Sequence, residues 1–138
     1  MYDAQLRVRR TGLGDITMLN GACILVAEDQ ALIALELAFA IEDAGGEVAG
    51  PVASVKSALA LIKARPVNAA IVDFNLIDGD VVPVLTALSD ARIPVIMQSG
   101  VGPPPQLMVR FPELIVFIKP SDTGELIHEL CRLIGRAQ

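Results

Sequence analysis

Four short apolar runs in the 138-residue chain end in side chains that could do chemistry together. CILVA precedes the acidic pair Glu28 and Asp29, and AAIV precedes Asp73. VIMQ precedes Ser99, and IVFI precedes Lys119. Taken alone, Asp73 would more often be a turn residue, because Asp favours turns by bonding its own backbone. Three acids, a hydroxyl and an amine at run ends instead indicate a shared site.

The chemistry that suits these side chains is metal-assisted phosphoryl transfer. Three carboxylates at close quarters repel one another, and a divalent cation is the usual way to keep them ionised. Mg²⁺ fits because it favours carboxylate, carbonyl and water oxygens. Asp73 would then be a nucleophile that forms an aspartyl phosphate. The metal ion and Lys119 would balance the charge of the transferring group, and Ser99 would bond a phosphoryl oxygen.

The elements that must position these residues alternate between strands and helices. The second strand is EVAGPVA, and its Gly50-Pro51 favours a sheet edge, where a missing N–H is tolerated. The first helix opens at Gln30, and its apolar residues recur at three- and four-residue spacing before a double glycine ends it. Examples of that spacing are Leu32, Leu35 and Phe39.

The remaining helices carry their own start and stop signals. Ser54 can cap a helix that runs to residue 63 or 64, and Asp80 can cap the next. Three prolines at 103–105 leave room for only a short fourth helix, roughly residues 106–111. Asp122 or Thr123 can cap the last helix. Its inward stripe is Leu126, Ile127, Leu130, Leu133 and Ile134.

This alternation predicts an α/β fold, a doubly wound parallel sheet of five strands joined by right-handed crossovers. The carboxyl ends of all the strands then lie at one edge of the sheet. The acidic pair, Asp73, Ser99 and Lys119 are therefore expected to converge there, which turn capping alone does not explain.

At these residues the chain resembles the receiver domain of two-component response regulators, over about residues 22 to 135. The motifs stand as AED, IVDFNLIDGD, MQSG and FIKP, in the family's order. The resemblance implies a flavodoxin-like strand order of 2-1-3-4-5 and a receiver domain over residues 21–136. It also implies that Asp73 takes phosphate from a phosphohistidine in a Mg²⁺-dependent reaction, with Ser99 and Lys119 contacting the phosphate. The metal ligands would be Glu28, Asp29, Asp73 and the backbone carbonyl of Asn75.

Several positions depart from the family's common pattern. Glu28 replaces the more frequent Asp, and Ser99 stands where Thr is common. Val116 stands where many receivers have a Tyr or Phe that swings inward on activation, and Phe117 should face the other side of its strand. The Lys119-Pro120 bond is often cis in the family. These departures are similar to those of short receivers that stand alone or are appended to hybrid sensor kinases.

Composition limits the other possibilities. A chain with 53% hydrophobic residues and no apolar run of about eighteen predicts one cytoplasmic domain without a membrane span. The net charge of −5 gives no general attraction to nucleic acid. Cys23 and Cys131 are expected to be free thiols, and residues 1–20 a flexible extension. The implied partner is a histidine kinase or a histidine phosphotransfer protein, and a homodimer is left open.

Two other functions stay open on the sequence. One is a pseudo-receiver that binds partners without phosphorylation, and the other is an aspartyl-phosphate hydrolase of the haloacid dehalogenase type. The hydrolase signature has a second Asp two residues after the nucleophile, where this chain has Asn75. A receiver would catalyse its own phosphorylation and dephosphorylation, and no turnover of an external substrate is expected. His128, the single histidine, is expected at the surface.

Overall fold

The computed structural model describes residues 18–137, which form five strands and five helices in strict alternation. Strands β1 to β5 span Cys23–Ala27, Glu47–Val52, Ala69–Asp73, Val95–Ser99 and Ile115–Ile118. Helices α1 to α5 span Ala31–Asp43, Val55–Ala64, Val82–Asp90, Pro105–Arg110 and Thr123–Ala137.

The five strands make one parallel sheet in the order β2-β1-β3-β4-β5. This confirms the predicted fold class and the flavodoxin-like order. The strand β3 lies at the centre, and all five of its residues are buried. As predicted from its proline, β2 is an edge strand; its Gly50-Pro51 bond is cis.

Two apolar layers cover the faces of the sheet, because successive strand side chains point to opposite sides. On one face Leu25, Val72 and Met97 pack with residues of α2, α3 and α4. On the other face Ile24, Ile71 and Ile96 pack with residues of α1 and α5. The central strands β3 and β4 are therefore apolar up to their polar carboxyl ends, as expected for a parallel sheet covered on both faces.

Helix α1 forms where its apolar periodicity predicted, but three of its large apolar residues face solvent. Leu32, Leu35 and Phe39 are 78%, 48% and 61% exposed. The buried face consists of Ala34, Leu37, Ala38 and Ile41. Large apolar residues thus lie on both faces of the helix, since Leu37 and Ile41 are buried beside the two alanines. Apolar spacing alone did not distinguish the two faces of a helix that is apolar on both.

The other helix signals are confirmed except at α3, whose N-cap is Val81 rather than Asp80. The Ser54 side chain accepts the Ser57 N–H at 3.0 Å, and Asp122 rather than Thr123 caps α5, accepting the Glu125 N–H at 3.1 Å. Asp80 accepts the Val82 N–H at 2.9 Å. Helix α4 has only six residues, as the prolines predicted. In the α5 stripe, Leu133 is half-buried while the other four members are buried.

The predicted extension over residues 1–20 lies mostly outside the described residues. Its last three residues form a turn, and Leu19 is 3% exposed and packs in the α1/α5 layer. The Leu19 N–H donates to the Ala44 carbonyl at 2.9 Å. Both cysteines are free, as expected. Within residues 18–137, the longest and most apolar helices fall short of what is needed to cross a membrane.

Candidate functional site

The predicted site residues meet at the carboxyl edge of the sheet. β3 lies between β1 and β4, so Asp73 at its end has the Glu28-Asp29 pair on one side and Ser99 on the other. Ser99 is in register with Ile118, the residue before Lys119. The Lys119-Pro120 bond that follows β5 is cis.

Asp73 is a buried carboxylate with an ion-pair partner. It is 2% exposed, and its Oδ2 accepts from Lys119 Nζ at 2.9 Å. Its Oδ1 accepts the Asn75 N–H at 3.0 Å, which ties the loop after β3 to the carboxylate. Both oxygens are thereby oriented by groups on different elements.

Glu28 shares the same lysine. It is 3% exposed, and its Oε2 accepts from Lys119 Nζ at 3.1 Å and from the Gln30 N–H at 3.0 Å. Burial, together with a hydrogen bond shared with Asp73, raises the pKa of Glu28 to about 7. Of the two buried acids, Glu28 is therefore the one that takes up a proton more readily.

The pKa of Asp73 is lowered and that of Lys119 is raised, so both groups favour their charged forms. Burial works to raise the pKa of Asp73, but hydrogen bonds from Glu28, Lys119 and the Asn75 N–H outweigh it and lower that pKa. Burial likewise works to lower the pKa of Lys119, and its contacts with Asp73 and Glu28 raise it instead. The site therefore keeps Asp73 ionised and Lys119 charged, which is the state a carboxylate nucleophile requires.

The acidic residues fit a divalent cation. Glu28, Asp29 and Asp73 each offer a carboxylate oxygen, and these oxygens all lie within 4.8 Å of one another. The other carboxylate oxygen of Glu28, Oε1, is buried. It lies 3.0 Å from Lys119 Nζ but accepts no hydrogen bond, because the geometry of that contact is unsuitable. Such an oxygen is suited to take either a proton or a cation. The oxygen-only donor set is the kind that Mg²⁺ prefers.

Ser99 is fully buried, and its Oγ accepts the Val101 N–H at 3.3 Å. Val116 is half-buried and packs in the α2/α3/α4 layer, opposite Met97 in register. Phe117 packs in the α1/α5 layer, so it faces the other side of β5 as predicted. The face of β5 that packs against the α2/α3/α4 layer therefore has Val116 where an aromatic residue is common in receivers, and the aromatic Phe117 lies on the opposite face.

Two buried or bridging residues near the site were missed by sequence reasoning. Asp78, in the loop after β3, accepts the N–H groups of Val55 at 2.6 Å and Lys56 at 3.1 Å, which cap α2. The Val55 N–H contributes most to lowering the pKa of Asp78. Gln98 is 2% exposed and lies opposite Asp73. Asp78 acts across 23 positions of sequence, so local patterns contain no signal for it.

Comparisons with solved structures place this geometry among receivers. The chain is similar to a response regulator receiver protein from Sinorhizobium medicae, with 23% identity and a TM-score of 0.76 over 87% of this chain and 99% of that one. It is similar to a sensor protein from a Polaromonas species, with 28% identity and a TM-score of 0.71 over 85% and 98%. A third is the receiver domain of a sensor histidine kinase from Pseudomonas aeruginosa, crystallised with a magnesium ion coordinated in its active-site cleft. It shares 21% identity at a TM-score of 0.71, over 83% of this chain and 98% of that one.

These similarities establish that the chain has the receiver fold of response regulators, as its motifs indicated. No protein-family model matches the sequence, and no curated protein is a significant match. Over most of the chain, the likeness is therefore one of structure at low sequence identity.

Proposed function

We propose that this chain is a phosphoacceptor receiver of a two-component phosphorelay, with Asp73 as the phosphorylated residue. The observation that carries the proposal is the buried Asp73 carboxylate at the end of the central strand, 2.9 Å from Lys119 Nζ and with carboxylate oxygens of Glu28 and Asp29 within 4.8 Å. The receiver fold supports the same role.

In the proposed reaction a carboxylate oxygen of Asp73 attacks the phosphorus of a phosphohistidine. The O–P bond forms as the N–P bond breaks, and the electron pair of that bond returns to the imidazole nitrogen of the donor. Lys119 pairs with the phosphoryl charge that develops beside it, and the Ser99 hydroxyl donates to a phosphoryl oxygen. Hydrolysis by water reverses the modification.

Mg²⁺ would be held by Glu28, Asp29, Asp73 and the backbone carbonyl of Asn75. When bound, the ion supplies positive charge that stabilises the transferring phosphoryl group. Glu28 would have to be ionised to act as a ligand, so its raised pKa would make metal binding depend on pH. The magnesium ion in the cleft of the Pseudomonas receiver supports this assignment.

The proposed donor is a histidine kinase or a histidine phosphotransfer protein. Helix α1 begins two residues after Asp29, and its exposed apolar residues Leu32, Leu35 and Phe39 lie on one side at helical spacing. An apolar helix face beside the acidic site is suited to pack against the helices that present a donor histidine.

The test is phosphorylation with acetyl phosphate and Mg²⁺, followed by intact mass and by peptide mapping after borohydride reduction of the acyl phosphate. We expect the wild type to gain one phosphoryl group at Asp73 and Asp73→Asn to gain none. Asp80→Asn is the matched control, because Asp80 is an exposed acid before α3 that lies outside the acidic cluster. Omitting Mg²⁺ should abolish labelling.

The alternatives give different results in the same assay. A pseudo-receiver would show no labelling of folded wild-type protein and no spectral change with beryllofluoride and Mg²⁺. A hydrolase would release phosphate from small substrates in many turnovers. The Asn at position 75, whose N–H is bonded to Asp73, provides no second carboxylate for a hydrolase general acid.

A further inference from the structure

The described part of the chain contains a basic groove at the end of the sheet opposite the acidic site. Val95 and Ile115, the first residues of β4 and β5, lie in its lining, whereas the site residues lie at the other ends of these strands. Its volume is about 820 Å³. This is within the range of about 300–1,000 Å³ that holds small organic ligands.

Four arginines line this groove: Arg92, Arg110, Arg132 and Arg136. They are half of the eight lysines and arginines in residues 18–137. Glu113 is the one acidic residue of the lining. Within the described residues, the groove thus gathers half of the basic side chains at the end of the sheet opposite Glu28, Asp29 and Asp73.

Part of this positive charge is offset by two acids among the described residues, Glu113 in the lining and Glu129, which also acts on Arg136. Of the four arginines, Arg132 forms an ion pair within residues 18–137, with Glu129 on the preceding turn of α5. The guanidinium of Arg110 stacks over the Phe111 ring, 5.6 Å from its centre, which orients it without cancelling its charge. Apolar side chains such as Ile93 and Leu114 line the groove between the arginines.

Arg92 adopts a left-handed backbone conformation, which is unfavourable for a residue with a side chain. Its φ is +59°, and it occupies the left-handed position that ends α3. The Arg92 N–H donates to the Ser89 carbonyl at 3.0 Å and the Ile93 N–H to the Leu88 carbonyl at 2.9 Å, a Schellman ending.

Helix α1 ends in the same backbone motif, but there the left-handed position is occupied by glycine. There Gly45, with φ of +85°, donates to Glu42, and Gly46 donates to Ile41. Glycine is the residue that adopts this conformation without strain. A strained non-glycine residue that also lines a cavity points to a role for its side chain.

From these observations we infer that the groove binds a compact organic anion with two or more phosphate groups on a ring or apolar body, of the size of a nucleoside di- or triphosphate. Guanidinium groups match phosphate oxygens in two-point hydrogen bonds. The apolar lining and the Phe111 ring suit the body of the ligand. A long polyanion is disfavoured, because outside the groove it would meet the acidic surface of the protein.

The test is an NMR titration of ¹⁵N-labelled protein without divalent metal, using ATP as the probe. We expect shifts at the amides of residues 92, 93, 95, 110, 111 and 113–115, a weaker response to pyrophosphate, which lacks the apolar body, and none to adenosine, which lacks the charge. Arg92→Gly should weaken ATP binding at least fivefold, while the midpoint of thermal unfolding stays equal or rises because the strain is relieved.

The controls separate the groove from general charge effects. Arg65→Ala removes a guanidinium outside the groove, where it pairs with Glu47, and should leave ATP binding unchanged. Asp73→Asn should also leave it unchanged, so the outcome is independent of the phosphoacceptor proposal. No response to ATP at millimolar concentration, equal binding of adenosine, or unchanged binding by Arg92→Gly would each overturn the inference.

Discussion

At the scale of single residues, the site depends on how Glu28, Asp73 and Lys119 share charge. One lysine faces two buried carboxylates, and their side chains are 1% and 3% exposed. Two ionised acids against one cation would leave a net buried negative charge, which is costly. The raised pKa of Glu28 resolves this, because its proton removes the excess charge until a cation replaces it.

The first prediction concerns the stability of the metal-free protein against pH. The folded-state pKa of Glu28 is about 7, above its ordinary value of 4.5. Folding therefore binds a proton between these values, and the free energy of unfolding should fall as pH rises from 4.5 to 7, by at most about 3 kcal/mol. Asp73 affects stability at lower pH. Its lowered pKa stabilises the folded protein, and this contribution is lost as pH falls below the ordinary value of 3.8.

Urea unfolding at a series of pH values measures this effect. Glu28→Gln keeps the shape but cannot titrate, so its profile should be flatter between about pH 4.5 and 7. Glu36→Gln, on the exposed side of α1, is the control and should retain the wild-type slope. A wild-type profile that rises across this window would contradict the assignment.

The second prediction concerns metal affinity. Because Mg²⁺ must displace the proton on Glu28, its affinity should increase as pH rises through about 7 and level off above that. Calorimetry in buffers of different ionisation enthalpy should detect proton release on binding below this pH. Glu28→Gln should bind Mg²⁺ more weakly and release no proton.

The third prediction concerns Lys119. Lys119→Met leaves two buried acids without their cation, so it should lower the free energy of unfolding by about 1–3 kcal/mol at pH 8. The loss should be smaller at about pH 5, where the proton on Glu28 removes one of the charges. Chemical denaturation at the two pH values measures the difference, and Lys63→Met, on an exposed residue of α2, is the control.

At the scale of elements, the proposed docking face of α1 can be separated from the chemistry. Phe39 is 61% exposed and two turns along the helix from Leu32. Phe39→Glu should slow phosphotransfer from a cognate histidine donor at least tenfold by burying a charge in the interface. It should leave labelling by acetyl phosphate unchanged, because that small donor needs no docking surface.

The measurement is the rate of phosphorylation of Phe39→Glu by the protein donor and by acetyl phosphate. Loss of labelling with both donors would mean that the substitution disturbs the site itself. Equal rates with the protein donor would show that α1 is not the docking face. Val109→Glu, on an 82% exposed residue of α4, is a matched control for adding charge to an exposed apolar position.

At the scale of the whole molecule, stability comes from the two apolar layers, and the outer face of α1 contributes little. Leu130 is fully buried in the α1/α5 layer, whereas Leu32 is 78% exposed. Leu130→Ala should lower the free energy of unfolding by about 2–5 kcal/mol. Leu32→Ala should change it by no more than about 0.5 kcal/mol. Thermal or urea unfolding of the pair measures both.

The sequence predicted those features that depend on local pattern plus one topological rule. Buried runs ending in polar residues located the strands, and parallel topology placed Asp73, Ser99 and Lys119 at one edge. The outer face of α1 was not predicted, because large apolar residues occur on both sides of that helix. The contacts of Asp78 and the groove around Arg92 join segments far apart in sequence, so only the folded chain reveals them.

The turn before β1 has a practical consequence for anyone who shortens this protein. Leu19 packs where Gly46 has no side chain: a Cβ at position 46 would lie 2.8 Å from Leu19 Cδ1. The backbone of the turn is also bonded to the end of α1, through Leu19 to Ala44 and Gly21 to Gly45. A shortened version that begins at Gly21 would leave a void beside Gly46 and would lose the bond from Leu19 to the end of α1. The trimming limit for isotope labelling or fusion therefore lies before Leu19, at Met18 or earlier.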